Sequence, residues 1–140
     1  MNIQVRYLSK SGNTKKVADA IAKEVGVTAE TLEKGISGDT DILFLGGAMY
    51  WAGVDSKLKK FILGLDCSVK KVAIFSTTAV VKSAYPEIKK LLIAKNIFVY
   101  DNEFHCKGEF LKFHKGRPNA DDLEIAKQFA REVTTLSNFR

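Results

Sequence analysis

The chain has 140 residues, 46% of them hydrophobic and 27% charged, with two cysteines and a formal net charge of +6. That length suits one domain (1–140) with a substantial core, and the balance of apolar and charged residues excludes a disordered or fibrous class. No apolar run approaches membrane-spanning length and the N-terminus has no basic-then-apolar leader pattern, so no membrane partner is expected and the location is expected to be cytoplasmic.

Asn2 to Leu8 alternates as a first strand, with Ile3, Val5 and Tyr7 on one face and Gln4, Arg6 and Leu8 on the other. A central parallel strand is normally apolar on both faces, so Arg6 needs either an acidic partner or a path to solvent. The strand runs into Ser9-Lys10-Ser11-Gly12-Asn13-Thr14, a hydroxyl-rich turn that opens directly into a helix reaching Val25, with Val17, Ala18, Ile21 and Ala22 at helical spacing and Gly26 as its stop. A helix start leaves backbone N–H groups without partners and carries partial positive charge, which suits an anion. Ser9, Ser11, Asn13 and Thr14 add side-chain donors, and Gly12 lets the backbone turn tightly. The turn is neither a Walker loop nor a nicotinamide-type glycine fingerprint, because the required Gly-Lys-Ser/Thr and the second and third glycines are missing.

Val27 to Leu32 reads as a short second strand and Gly35 to Gly38 as loop. Asp41 to Gly47 is a near-continuous apolar run, the pattern of a third strand buried on both faces, and it ends in a loop bearing Ala48, Met49, Tyr50 and Trp51 before Gly53. Val54, Leu58, Phe61, Ile62 and Leu65 then mark an amphipathic helix with Asp55 near its start. Lys71 to Phe75 is the fourth strand, with Ser76-Thr77-Thr78-Ala79 expected as a small-polar loop after it. Ser83 to Lys95 is the next helix, with Pro86 in its first turn and Asn96 as its end, and Ile97 to Asp101 is the fifth strand. Asn102 to Gly116 is expected to be irregular. Pro118 to Asp122 opens a last helix whose acidic first turn suits its dipole and whose inner face is Leu123, Ala126, Phe129, Ala130 and Val133.

Strand and helix alternate throughout, which predicts an α/β fold: a parallel five-stranded sheet with helices on both faces, a three-layer α-β-α sandwich. Ligands of such sheets sit at the carboxyl ends of the strands, where the three loops fall. Tyr50 and Trp51 can stack on a planar ring, and the hydroxyls of Ser76, Thr77 and Thr78 can meet its polar edge. Phosphate, flat aromatic and polar edge together describe FMN. Two blander readings stand beside this one: the aromatics as cover for an apolar patch or a dimer contact, and Ser76 to Thr78 as a plain loop.

Ser9 to Thr14 matches the Ser/Thr-x-Ser/Thr-Gly-Asn-Thr phosphate loop of flavodoxins at every defined position, and the chain resembles that family over most of its length. Leu45 to Trp51 through Leu58 and Phe61 is similar to the family's second loop and the helix after it, and Phe104-x-Cys106-x-Gly108 with Pro118 to Ala130 is similar to its C-terminal part. The resemblance implies strand order 2-1-3-4-5 and an FMN-binding redox protein. Its site would comprise Ser9, Lys10, Ser11, Gly12, Asn13 and Thr14 at the phosphate, Ala48, Met49, Tyr50 and Trp51 at the ring, and Ser76, Thr77 and Thr78 at the pyrimidine edge, with no catalytic side chain. The chain departs from the family's pattern in two places. The third loop carries Thr77-Thr78-Ala79 where glycine is usual, and the net charge is positive where electron-carrier flavodoxins are acidic, so partner choice should differ. The alternatives are an NAD(P)H-dependent quinone or flavin reductase and a flavodoxin-fold binding module that has lost FMN. A redox partner protein is expected, with the chain a monomer or weak dimer.

The remaining chemistry is sparse. The lysine pairs Lys15-Lys16, Lys59-Lys60, Lys70-Lys71 and Lys89-Lys90 lie beside apolar helix positions or element starts without interleaved aromatics, so nucleic acid is not expected. Cys67 and Cys106 have neither CxxC nor zinc spacing, so no metal is expected and the thiols should be reduced and mostly structural. His105-Cys106-Lys107 leaves open a low-pKa thiol, and His105 and His114 are expected at the surface.

Overall fold

A computed structural model describes residues 1–50, 53–78, 83–108 and 116–138, the side chains of residues 49, 50 and 138 excepted. Strands β1 (Ile3–Tyr7), β2 (Ala29–Thr31), β3 (Thr40–Tyr50), β4 (Gly53–Val54), β5 (Val69–Thr78) and β6 (Phe98–Lys107) alternate with helices α1 (Asn13–Val25), α2 (Ser56–Leu63), α3 (Tyr85–Ile93) and α4 (Ala120–Asn138). The sheet order is β2-β1-β3-β5-β6, every pairing along it parallel. Counting only these five strands, this is the expected 2-1-3-4-5. β4 is an addition, a two-residue return strand antiparallel to the end of β3 through Met49↔Val54 and Tyr50↔Gly53.

The two faces of the sheet bury separate clusters. On one, Val5, Tyr7, Phe44 and Phe75 pack under Val17, Ala18 and Ile21 of α1 and Ala126, Phe129 and Ala130 of α4. Phe44 meets Phe129 edge-on, with ring centroids 5.9 Å apart. On the other, Leu43, Leu45 and Ile74 lie beneath Leu58 and Ile62 of α2 and Ile88 and Leu92 of α3. The periodic positions read from the sequence are the ones buried, because apolar area removed from water contributes about 25 cal/mol per Å² wherever a helix face can reach the sheet.

The polar face of β1 has a specific cover. Between β2 and β3 the chain makes only a 3-10 turn (Leu32–Lys34) and a loop, and that loop offers backbone groups to β1. Arg6 is 4% exposed; its Nε donates to the Gly35 carbonyl (2.7 Å), Nη1 to the Val5 carbonyl (3.0 Å) and Nη2 to Gln4 Oε1 (2.7 Å). Gln4 Nε2 in turn donates to Thr40 Oγ1 and to the Ser37 carbonyl. Carbonyl groups and a side-chain amide thus replace both the acidic partner and the path to solvent. Burial lowers the proton affinity of the Arg6 guanidinium, with Glu30 partly opposing it.

Four boundaries differ from expectation. Ser76 to Thr78 belong to β5 rather than to a loop, since β-branched threonines suit a strand and these residues pair with both β3 and β6. Ala48 to Tyr50 likewise lie on β3, held by the β4 return. Asn102 to Lys107 continue β6, with Phe104 and Cys106 inward and His105 and Lys107 outward; a register irregularity between Val72 and Ile74 obscures the strand's continuity. β2 is shorter than Val27 to Leu32 and less buried than its neighbours, as an edge strand can be.

Candidate functional site

The β1–α1 turn is built by one glycine and one hydroxyl. Gly12 caps α1 at φ 90°, a left-handed conformation that L side chains rarely adopt, and apart from its chain neighbours no atom of the described residues lies within 4 Å of where its Cβ would be. Conformation, not packing, requires glycine there. Ser9 Oγ accepts from the Gly12 amide at 3.0 Å and closes the turn. Among the described residues no side-chain hydrogen bond caps α1, and its first turn holds no acidic residue but does hold Lys16 and Lys15, the latter paired with Asp19 at 2.7 Å. Cations at a helix N-terminus oppose the dipole, whereas an anion would offset both the dipole and the lysines.

The site residues read from Ser9 to Thr14 are all described. Ser11 is exposed, Ser9, Gly12 and Asn13 are half-buried, and Thr14 is buried. Thr14 Oγ1 is hydrogen-bonded to Thr77 Oγ1 at 2.8 Å, so the first and third segments are joined directly. One of the two hydroxyls must donate, which leaves the other's proton available to a further acceptor. Lys10 reaches across to Asp55 (2.8 Å), the residue that caps α2 by accepting from the Lys57 amide (2.8 Å). That ion pair, with the Lys57 amide second, holds the Asp55 carboxyl below its ordinary range. Lys10 is therefore a tie between loops as well as an exposed cation.

Ser76 is fully buried, with Ser83 Oγ and the Ala84 amide each at 3.4 Å, so it meets the start of α3. Thr78 is buried, and its carbonyl accepts from the Gly108 amide at 2.9 Å. Ala48 is half-buried on β3 beside Thr77. Met49 and Tyr50 are placed by backbone only; Trp51, Ala79 and His114 lie outside the described residues.

The structure adds two residues that spacing could not supply. Gly108 lies against the turn from the end of β6: a Cβ there would be 2.8 Å from Asn13 Nδ2, so the backbone of this segment approaches the Asn13 side chain as closely as only glycine permits. Glu87 of α3 accepts from the Val54 amide. In both cases the signal is a contact between residues far apart in the chain.

The low-pKa reading of Cys106 is overturned. Cys106 is buried in the core, and burial, with Asp122 second, pushes its thiol up to about 12. Cys67 is exposed, and both cysteines are free. His105 is exposed as expected, with Nδ1 2.8 Å from Glu103 Oε1. No cluster of metal-ligating side chains occurs among the described residues, nor a helix long and apolar enough to cross a membrane.

The parallel sheet with helices on both faces, and a hydroxyl-lined, glycine-capped helix N-terminus after its first strand, define a doubly wound class of α/β protein. Within that class, the family model described as "Flavodoxin domain" matches residues 4–117, and the chain belongs to the flavodoxin family. An uncharacterized protein of Methanocaldococcus jannaschii, MJ0298, is 30% identical over 136 residues, covering 86% of this chain and 89% of its own. Among solved structures, a flavodoxin from the domain Archaea superposes with a TM-score of 0.78 at 20% identity, covering 95% of this chain and 96% of its own. Oxidised flavodoxin 2 from Bacillus cereus gives 0.72 at 18% identity, covering 94% and 96%. Two-electron reduced Megasphaera elsdenii flavodoxin gives 0.66 at 18%, covering 93% and 98%.

Proposed function

We propose that the protein binds FMN non-covalently and exchanges electrons through it with a partner protein. The observation that carries this reading is the start of α1: a left-handed Gly12, no side-chain cap among the described residues, hydroxyls on either side, and Lys15 and Lys16 where a carboxylate would be favoured, Lys15 paired with Asp19. That donor set fits a phosphate monoester. The amides of the turn and the side chains of Ser9, Ser11, Asn13 and Thr14 would hold the phosphate, each charge-assisted hydrogen bond contributing roughly 1.5–3 kcal/mol. Ala48 to Trp51 would face the ring, and Ser76 to Thr78 its polar edge. Family membership supports the reading, as do fold relatives solved in oxidised and in two-electron reduced form.

When bound, the flavin supplies the electron storage. The chain's own part is to bind, orient and exclude water. The bond between Thr14 and Thr77 joins the segment proposed for the phosphate to the one proposed for the polar edge, which supports their serving one ligand. The positive balance of the chain favours a partner with an acidic docking face, because complementary charge steers encounter.

The purified protein is expected to be yellow or to take up FMN with a shift of its visible bands. A colourless protein that takes up none would overturn the proposal. Once loaded, failure of NAD(P)H to bleach the flavin without a separate reductase is the result expected of a carrier, and direct bleaching would instead favour the oxidoreductase reading.

A further inference from the structure

Outside the β1–α1 turn, the Glu87 carboxylate on α3 holds the backbone of a different element, β4. Glu87 stands in the first turn of α3, where the helix dipole favours negative charge. Its Oε2 accepts from the Val54 amide at 2.9 Å. Its Oε1 would be 2.9 Å from a Cβ at Gly53, so the carboxylate lies against this backbone, and Gly53 has φ 95°, a left-handed conformation that requires glycine here. Lys59 of α2 approaches the same carboxylate at 4.0 Å. Val54 is 4% exposed, and a buried amide needs an acceptor. β4 is two residues long and pairs only with β3, so the acceptor comes from α3 instead of from another strand.

We infer that Glu87 is a positioning residue for the flavin: from α3 it fixes Gly53 and Val54, and through β4 it fixes the far end of β3, which carries Ala48 to Tyr50. Glu87 does not touch the ligand in this account. It acts by holding the strand end in one place before the ligand arrives, so that less ordering remains to be done on binding. The inference rests on the FMN reading, and its test separates the two.

Hydrogen exchange of the Val54 amide in flavin-free protein reads the clamp, and FMN affinity by fluorescence titration reads its consequence. Glu87→Ala is expected to speed Val54 exchange and to weaken FMN binding by about tenfold, the loss of roughly one charge-assisted hydrogen bond. Glu87→Gln keeps an acceptor oxygen and is expected to stay close to the parent in both measurements. Glu87→Asp, which shortens the side chain by one methylene, should fall between them and serves if the alanine variant fails to fold. Unchanged Val54 exchange in Glu87→Ala and Glu87→Asp would overturn the clamp. Faster exchange with unchanged FMN affinity would overturn the positioning role, and a glutamine variant that behaves like alanine would overturn its hydrogen-bond basis. If the parent itself takes up no FMN, the flavin reading fails and the positioning role with it, while Val54 exchange still decides whether Glu87 holds β4.

Discussion

Gly12 follows β1 and Gly46 lies within β3, level with the end of β1, and they are glycines for opposite reasons. Gly12 has open space around it and a left-handed backbone. Gly46 has an ordinary backbone and no space: a Cβ there would be 2.0 Å from the Phe75 ring. Its neighbour Gly47 repeats the pattern on the other face, where a Cβ would be 2.7 Å from Leu58 of α2. The first glycine gives the turn its left-handed backbone, and the other two let both layers close on the sheet. Small residues near the strand ends are thus not all site residues, and the Gly46-Gly47 pair is explained by packing before any ligand is considered.

Substitution separates these two roles. Gly46→Ala should have the largest effect on stability, because Phe75 is fully buried and cannot move aside freely. We expect about 1–3 kcal/mol of destabilisation or more in urea unfolding, partly relieved in the double variant with Phe75→Leu. Gly12→Ala should cost about 1–2 kcal/mol of backbone strain. Its larger consequence should be on FMN affinity, with the core unchanged; equal loss of FMN binding in both variants would break the distinction.

Thr14→Val keeps the shape but removes the hydroxyl partner of the buried Thr77, and should cost about 1 kcal/mol along with weaker FMN binding. The smallest effect expected is chemical. In the native parent a thiol reagent near pH 8 should modify Cys67 and spare Cys106, whose thiol is buried and raised to about 12. Cys106 shares a cluster with Phe75, so it should become reactive in Gly46→Ala and stay protected in Gly12→Ala.

The same contrast explains what could be read from the sequence. The turn from Ser9 to Thr14 is local: each feature that suits it to an anion is a backbone or side-chain property of contiguous residues. The apolar periodicity of α1, α2 and α4 is local too, and it gave the layers and, with the resemblance, the strand order. Arg6 and Gln4 could not be resolved in that way, because their partners belong to a loop that replaces a helix between β2 and β3. The hydroxyls of Ser76 to Thr78 suit a loop and a strand equally, and only pairing with β3 and β6 decides for the strand. Glu87 was invisible, and Gly108 was legible only as part of the C-terminal resemblance, because each acts on a residue that the fold alone brings near.

The central claim is that the β1–α1 turn recognises the phosphate of a flavin, and the most direct measurement compares FMN with riboflavin on the parent protein by flavin fluorescence. The two ligands share the ring and differ in the phosphate, so the difference in affinity isolates the turn. FMN should bind at least about a hundredfold more tightly, as two or more charge-assisted hydrogen bonds imply. Equal affinities would contradict the account.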